Sequence, residues 1–295
     1  MDLGLAQAGL MATPGSPIRL EDVQLRAGDG MPIVARLWAR PDPRGTLVVA
    51  HGFGEHGGCY GDLARRLVEA PGLDVLAFDF RGHGRSGGKR GVVRRYDDLV
   101  LDLDAALAWA PRERPGLPRF LLGHSNGGLV ALRALIGDDR GLDGLILSNP
   151  SIRGLARVPA WKRAFGELLD KLAPGITLDA GIPADQLSRD PVARAGFKAD
   201  PLRHSRISPP YFFGMLRAGP ETLAGAGAIR TPALVILGEA DPLVDPAAGR
   251  SLFEALGSPD KTLRVEPGMR HEPLHEVGRE AVQDALARWI VARMG

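Results

Sequence analysis

Residues 119–130, Arg-Phe-Leu-Leu-Gly-His-Ser-Asn-Gly-Gly-Leu-Val, carry the pattern Gly-x-Ser-x-Gly directly after a short apolar run. A serine held at such a turn is a candidate nucleophile for acyl transfer, provided that a base takes its proton and a carboxylate orients that base. The pattern is short and the chain holds 39 Gly, so a second copy occurs at Gly84-Arg85-Ser86-Gly87-Gly88. Context separates the two. A nucleophile elbow needs a strand that stops abruptly, a serine at a strained backbone position and a helix that starts at once. Phe120-Leu121-Leu122 is strand-like, Gly123 and Gly127 flank Ser125, and Gly128-Leu129-Val130-Ala131-Leu132 begins a helical pattern whose N-terminal amides favour negative charge. Ser86 lies in a stretch too rich in glycine to start a helix and reads as a loop residue.

The base for Ser125 should be a histidine later in the chain, because strand-elbow-helix hydrolytic sites run in the order Ser, Asp or Glu, His. Beyond Ser125 lie His204, His271 and His275. His204 precedes every carboxylate of the last apolar runs. The acid should sit just past a late strand, where Ala233–Asp245 offers Glu239, Asp241 and Asp245. Asp241 directly follows the strand and leads into a turn at Pro242, which makes it the preferred acid. His271 follows a strand and a Pro-Gly turn and is the preferred base. An oxyanion needs donors aimed at it in advance. The backbone amide of Asn126, next to the serine, is one, and that of Phe53, in the glycine-rich loop after Thr46–Ala50, is the other.

A competing chemistry is written at residues 271–275, where His-Glu-Pro-Leu-His satisfies the zinc-protease pattern His-Glu-x-x-His. Zinc needs both histidines one turn apart on an existing helix. Pro273 is tolerated only in a first turn, which leaves His271 outside it. The match reads as accidental, and neither a metal nor an organic cofactor is expected.

These residues need a scaffold. Two partly alternating runs around Ala27-Gly28-Asp29-Gly30 predict an antiparallel hairpin. Nearly all-apolar runs then recur at Thr46–Ala50, Leu73–Asp79, Arg119–Gly123, Gly144–Asn149 and Ala233–Gly238, with one more strand at Lys261–Pro267, separated by helical patterns. Strands of that kind are buried on both faces, and their alternation with helices implies a mostly parallel sheet of about eight strands flanked by helices, an α/β fold. Residues 276–293 predict a last helix. The alternation stops for about 80 residues between Asn149 and Thr231, too long for a crossover loop. Residues 151–230 therefore read as an inserted cap over a core of 18–150 and 231–295. In it Leu155, Val158, Phe165, Leu168, Leu169 and Leu172 fall at helical spacing, interspersed with Arg153, Arg157, Lys162, Arg163 and Lys171, as on a roof over an apolar pocket.

Composition narrows the classes. The 295 residues, 44% hydrophobic, suffice for a substantial core. A net charge of +2 with dispersed Lys and Arg argues against nucleic acid as partner. One cysteine, Cys59, rules out an internal disulfide and fits a reducing, cytoplasmic setting. Residues 1–17 start with an acidic second residue and are broken by glycines, so they read as a flexible extension rather than a signal peptide.

With these residues in place the chain resembles the α/β-hydrolase superfamily, and within it the monoacylglycerol lipase and lysophospholipase group, serine aminopeptidase S33-like. The resemblance runs from about residue 20 to the end and rests on HGFGEHGGCY (51–60), FDFRGHGRSGGKRG (78–91), GHSNGG (123–128), LSRDPVARAGFKADPL (187–202), GEADPLVD (238–245) and VEPGMRHEPLHE (265–276). It implies a triad at Ser125, Asp241 and His271, oxyanion donors at Phe53 and Asn126, and a serine carboxylic ester hydrolase acting on monoacylglycerol, lysophospholipid-like or other single-acyl-chain esters, with transient lipid-surface contact through the cap. A peptidase of the S33 type is the alternative, ahead of a zinc metalloprotease or a binding protein on the same scaffold. Asn126 stands where methionine is common and Cys59 where arginine is common. Asn126 is expected to make the acyl pocket more polar, and Cys59, near the oxyanion loop, to be sensitive to thiol reagents.

Overall fold

The structure is a computed structural model that describes residues 18–155 and 159–295. The expected extension at 1–17, and Arg157 and Val158 of the expected cap stripe, lie outside the described residues. In chain order the strands are β1 (Arg19–Arg26), β2 (Pro32–Ala39), β3 (Gly45–Ala50), β4 (Leu73–Phe78), β5 (Arg119–His124), β6 (Gly144–Ser148), β7 (Leu178–Asp179), β8 (Arg206–Ile207), β9 (Ala233–Gly238) and β10 (Lys261–Glu266). The helices are α1 (Gly61–Glu69), α2 (Asp98–Leu107), α3 (Trp109–Glu113), α4 (Asn126–Leu135), α5 (Ala160–Leu172), α6 (Ala184–Leu187), α7 (Pro191–Ala199), α8 (Pro209–Gly225), α9 (Pro246–Ala255) and α10 (Arg279–Val291).

Eight strands form one sheet in the order β1-β2-β4-β3-β5-β6-β9-β10. The hairpin β1–β2 pairs antiparallel from Arg19↔Ala39 to Arg26↔Pro32, and β2 joins β4 antiparallel, while every other pairing is parallel. Helices cover both faces of the inner parallel strands, so β3, β4, β6 and β9 are buried along their whole length, while the edge strand β10 stays partly exposed. One core layer gathers Leu121, Leu129, Leu132, Leu147 and Tyr211 on one face of the sheet, and a second gathers Leu63, Leu67, Val75, Ile146 and Trp289 on the other.

Strand order decides which loops meet. After β3 the chain steps to β4 on one side and then returns to β5 on the other, so the loops after β3 and β5 lie side by side at a switch point. The loops after β9 and β10 adjoin in the same way. Four segments far apart in sequence therefore end on one rim. Between β6 and β9 lie α5 to α8 and the short β7–β8 pair. Along α5 only Gly166 is buried, against the Phe213 ring of α8, and Trp161, Phe165, Leu168 and Leu172 are exposed. The apolar stripe expected to face an inner pocket thus looks outward here, because the glycine, not the stripe, makes the close contact with α8. Among the described residues no helix is long and apolar enough to cross a membrane.

Candidate active site

Ser125 sits at the abrupt junction of β5 and α4 with φ 50° and ψ −117°, a backbone region that costs a non-glycine residue strain. Close packing enforces it. A Cβ on Gly123 would come within 2.7 Å of the Gly128 Cα, and one on Gly127 within 2.1 Å of the Ala50 carbonyl oxygen, so glycine at both positions lets α4 start against the end of β3. Ser86, by contrast, is built into the hairpin region. Its hydroxyl accepts from the Val34 amide at 2.9 Å and donates to the Asp79 carbonyl at 2.5 Å.

The Ser125 Oγ is 2.8 Å from His271 Nε2, and His271 Nδ1 is 2.7 Å from Asp241 Oδ2. A carboxylate only accepts, so Nδ1 carries the proton and Nε2 is left free to accept from the serine. Asp241 is itself held by the Leu243 and Val244 amides, which donate to Oδ1 at 2.8 and 3.0 Å. All three side chains are nearly buried. Burial disfavours the charged imidazole of His271, yet Asp241, with Glu272 and Glu55 behind it, outweighs that and holds its pKa above the ordinary 6.5.

The other sequence candidates separate cleanly. Glu239 is exposed, and Asp245 caps α9 through the Ala247 amide and pairs with Arg153. His204 binds the Gly82 carbonyl and His275 the Cys59 carbonyl. Phe53 lies on the loop beside Ser125, its ring against His83, His204 and Tyr211. Among the described residues no protein acceptor engages the backbone N–H of Phe53 or of Asn126. The Asn126 side chain does not enter an acyl pocket as expected. It is fully buried, accepts from the Tyr96 hydroxyl at 2.7 Å and donates to that of Tyr211 at 3.0 Å, so its polarity is consumed internally.

Several residues around the site carry no local motif. Asn149, at φ 41° after β6, donates to the carbonyls of Arg270 and His271 at 3.1 and 2.9 Å and accepts from the Gly238 amide at 2.8 Å, pinning the His271 loop to the sheet. Its only sequence mark is an Asn-Pro pair at a strand end. Ser151 places its hydroxyl 3.3 Å from that of Ser125. Behind His271, Glu55, His124, Glu272, His275 and Arg203 form a buried polar cluster.

Two groups of side chains bring potential metal-ligating atoms within 4.8 Å of one another: His56, Cys59 and Asp200, and Glu55, His124 and Glu272. Arg203 lies on both, 3.6 Å from the Cys59 sulfur and in contact with Glu55 and Glu272, so a cation there would meet a resident positive charge. The 271–275 motif has no helix beneath it beyond a single turn at Pro273–His275, and its histidines point to Ser125 and to the Cys59 carbonyl instead of converging. Cys59 is half-buried, and desolvation, with Glu55 next, pushes its pKa up to about 12, which disfavours the thiolate on which thiol reagents act.

A serine on a strand-to-helix elbow of a mostly parallel sheet, facing a histidine and a carboxylate from the two later strand ends, defines an α/β-hydrolase. Known proteins narrow this further. The family model described as serine aminopeptidase, S33, matches residues 41–278. A monoacylglycerol lipase of Mycolicibacterium smegmatis is 37% identical over 90% of this chain and 95% of its own, and a monoglyceride lipase of Homo sapiens is 31% identical over 90% and 88%. The crystal structure of Paleococcus ferrophilus monoacylglycerol lipase superposes with a TM-score of 0.77 at 30% identity, covering 94% of this chain and all of that one. The chain belongs to the serine aminopeptidase S33 family of α/β-hydrolases.

Proposed function

We propose that this protein hydrolyses monoacylglycerols and other esters of one acyl chain with a small alcohol, through an acyl-enzyme on Ser125. It is an ester hydrolase of the carboxylesterase type, like the lipases it resembles over nearly its whole length. The observation that carries the mechanism is the 2.8 Å and 2.7 Å relay from Ser125 through His271 to Asp241. His271 Nε2 takes the serine proton as Oγ attacks the ester carbonyl, and the amides of Phe53 and Asn126 receive the oxyanion. The same nitrogen then hands the proton to the leaving alcohol, and a water repeats the sequence to release the fatty acid.

Because His271 must be neutral to accept that proton, kcat/KM should fall about tenfold per pH unit on the acid side of its pKa. The sequence alone places that limb at about pH 6 to 7. The carboxylates around His271 raise its pKa, so the limb is expected above the ordinary 6.5. A pH-rate profile on a soluble ester checks this, and a rate that stays flat well below pH 6.5 would assign the base elsewhere.

The family's name raises the aminopeptidase reading, which needs a free carboxylate to hold a substrate amine. The carboxylates nearest the relay are committed: Asp241 to His271, and Glu55 and Glu272 to Arg203. Residues 151–230 act as the cap in this reading. The exposed Trp161, Phe165, Leu168 and Leu172, beside Lys162, Arg163 and Lys171, suit brief contact with a lipid surface that delivers the acyl chain. Each methylene buried from water is worth about 0.8 kcal/mol, so the rate should climb with chain length until the site is full. The test sets four substrates side by side: a monoacylglycerol, a p-nitrophenyl ester, a triacylglycerol and an aminoacyl nitroanilide. The first two should be cleaved fastest and the triacylglycerol weakly. Faster cleavage of the nitroanilide than of any ester would replace this reading by a peptidase.

A further inference from the structure

The polar cluster behind His271 is joined by one side chain that comes from the segment between β6 and β9. Arg203 Nη2 donates to Glu272 Oε1 at 2.8 Å and to Glu55 Oε1 at 3.2 Å, with the three side chains 10%, 1% and 2% exposed. Its guanidinium stacks 4.1 Å from the Phe197 ring centroid. The same stretch is stitched to the loop after β3 by His56 Nε2, which donates to Asp200 Oδ2 at 2.7 Å, and by the His204 amide, which donates to the Gly54 carbonyl at 3.0 Å.

We infer that Arg203 is a positioning residue that clamps the oxyanion loop and the His271 loop together, making the base of the cap a part of the catalytic arrangement. The inference rests on the roles proposed above for Ser125, His271 and Phe53. Glu55 accepts from the Gly52 amide at 2.8 Å and from the Tyr60 hydroxyl at 2.9 Å, so where Glu55 sits decides where the Gly52–Phe53 peptide points. Glu272 is the residue next to His271. Two buried carboxylates this close repel each other and lose hydration, and a single Arg203 Nη2 that donates to both offsets the repulsion and holds them side by side. Take the guanidinium away and both loops lose their common anchor, one holding the oxyanion donor and the other the base.

The Cys59 sulfur, 3.6 Å from Arg203 Nη1, supplies an internal control. The Cys59 side chain thus ends beside the same guanidinium that joins the two carboxylates. An arginine at 59 would bring a guanidinium to Glu55 and Glu272 without any help from the cap. The two positions are alternative sources of one cation.

The test compares Arg203→Ala with the double variant Arg203→Ala, Cys59→Arg, each checked for folding by circular dichroism and thermal melting. Arg203→Ala should lower kcat on a soluble ester by about 30- to 100-fold with KM changed by less than about threefold, because loops misplaced by a fraction of an ångström spoil the chemistry more than binding. Its acid limb should move to higher pH. His271 faces the carboxylates of Asp241, Glu272 and Glu55 and the rings of His124 and His275, the latter held above its ordinary pKa, against burial, by Glu272, and without the permanent charge of Arg203 the carboxylates' pull on the imidazolium is less opposed. The double variant should recover kcat to within about threefold of the parent and return the limb to its place. Parental kcat and pH limb in Arg203→Ala overturn the inference. So does a double variant that melts like the parent but stays as slow as the single one. If Arg203→Ala gives no folded protein, Arg203→Gln stands in: it keeps a long polar side chain but no positive charge to join the two carboxylates, so kcat should drop about tenfold, and a parental kcat there is equally fatal. Ser125→Ala is assayed alongside. Activity surviving in it would sink the site assignment itself, whereas its loss together with parental Arg203 variants sinks the clamp alone.

Discussion

Replacing Ser125 by alanine should reduce kcat for ester hydrolysis by about 10⁵-fold or more, with the fold and melting temperature close to those of the parent. The change removes one oxygen, whose side-chain neighbours are His271 Nε2 at 2.8 Å and the Ser151 hydroxyl at 3.3 Å. The backbone at φ 50° is no harder for alanine than for serine, and the amide and carbonyl of residue 125 keep their bonds to Ser148, Leu129 and Ser151. What remains is attack by water within an otherwise intact oxyanion site. Ser86→Ala is the matched comparison. It strips the Val34 amide of its acceptor, so it should lower the melting temperature while most of the activity persists. A Ser86 variant that folds yet is inactive, beside an active Ser125 variant, would transfer the elbow to the other motif. Mass spectrometry after a serine-reactive phosphonate should likewise find the adduct on Ser125.

Asp241→Asn should cost about 10³- to 10⁴-fold in kcat with little change in stability. The reason lies in the two amides that donate to Asp241 Oδ1 from Leu243 and Val244. They require an acceptor, so the asparagine oxygen stays there and the NH₂ group turns to His271 Nδ1. A donor at that position selects the tautomer that is protonated at Nε2, and such an imidazole cannot take the proton of Ser125. Measuring kcat at a pH above the acid limb separates this effect from a shifted pKa. Retention of more than about a tenth of parental activity would mean that Asp241 neither selects the tautomer nor stabilises the imidazolium.

Local chemistry made part of this arrangement readable. Gly123-His124-Ser125-Asn126-Gly127 announces itself because the steric demands of a sharp strand-to-helix turn act within five consecutive residues. The order of Asp241 and His271 behind it narrows the partners to two late loops, since those side chains must leave the ends of strands that precede them. The inner strands β3, β4, β6 and β9 were likewise visible, for a strand covered on both faces is apolar along most of its length, and the β1–β2 hairpin showed through alternation about its turn. The stripe on α5 shows the limit of such periodicity. Spacing says that Phe165, Leu168 and Leu172 share a side, but Gly166 against Phe213 determines where that side points.

Residue types and near-neighbour spacing thus determined the elements, the elbow, and the short list from which an acid and a base had to come. Tertiary structure alone decided the surroundings that tune them. Arg203 meets Glu55 and Glu272 across 148 and 69 residues, and Asn149 reaches His271 across 122. Asn126 spends its amide on Tyr96 and Tyr211, and desolvation with Glu55 raises the pKa of Cys59. Dihedral sterics and helix or strand periodicity act between neighbours along the chain and so leave a mark in the sequence, whereas Coulomb energy and desolvation depend on distance and depth in space, which exist only once the chain has closed on itself.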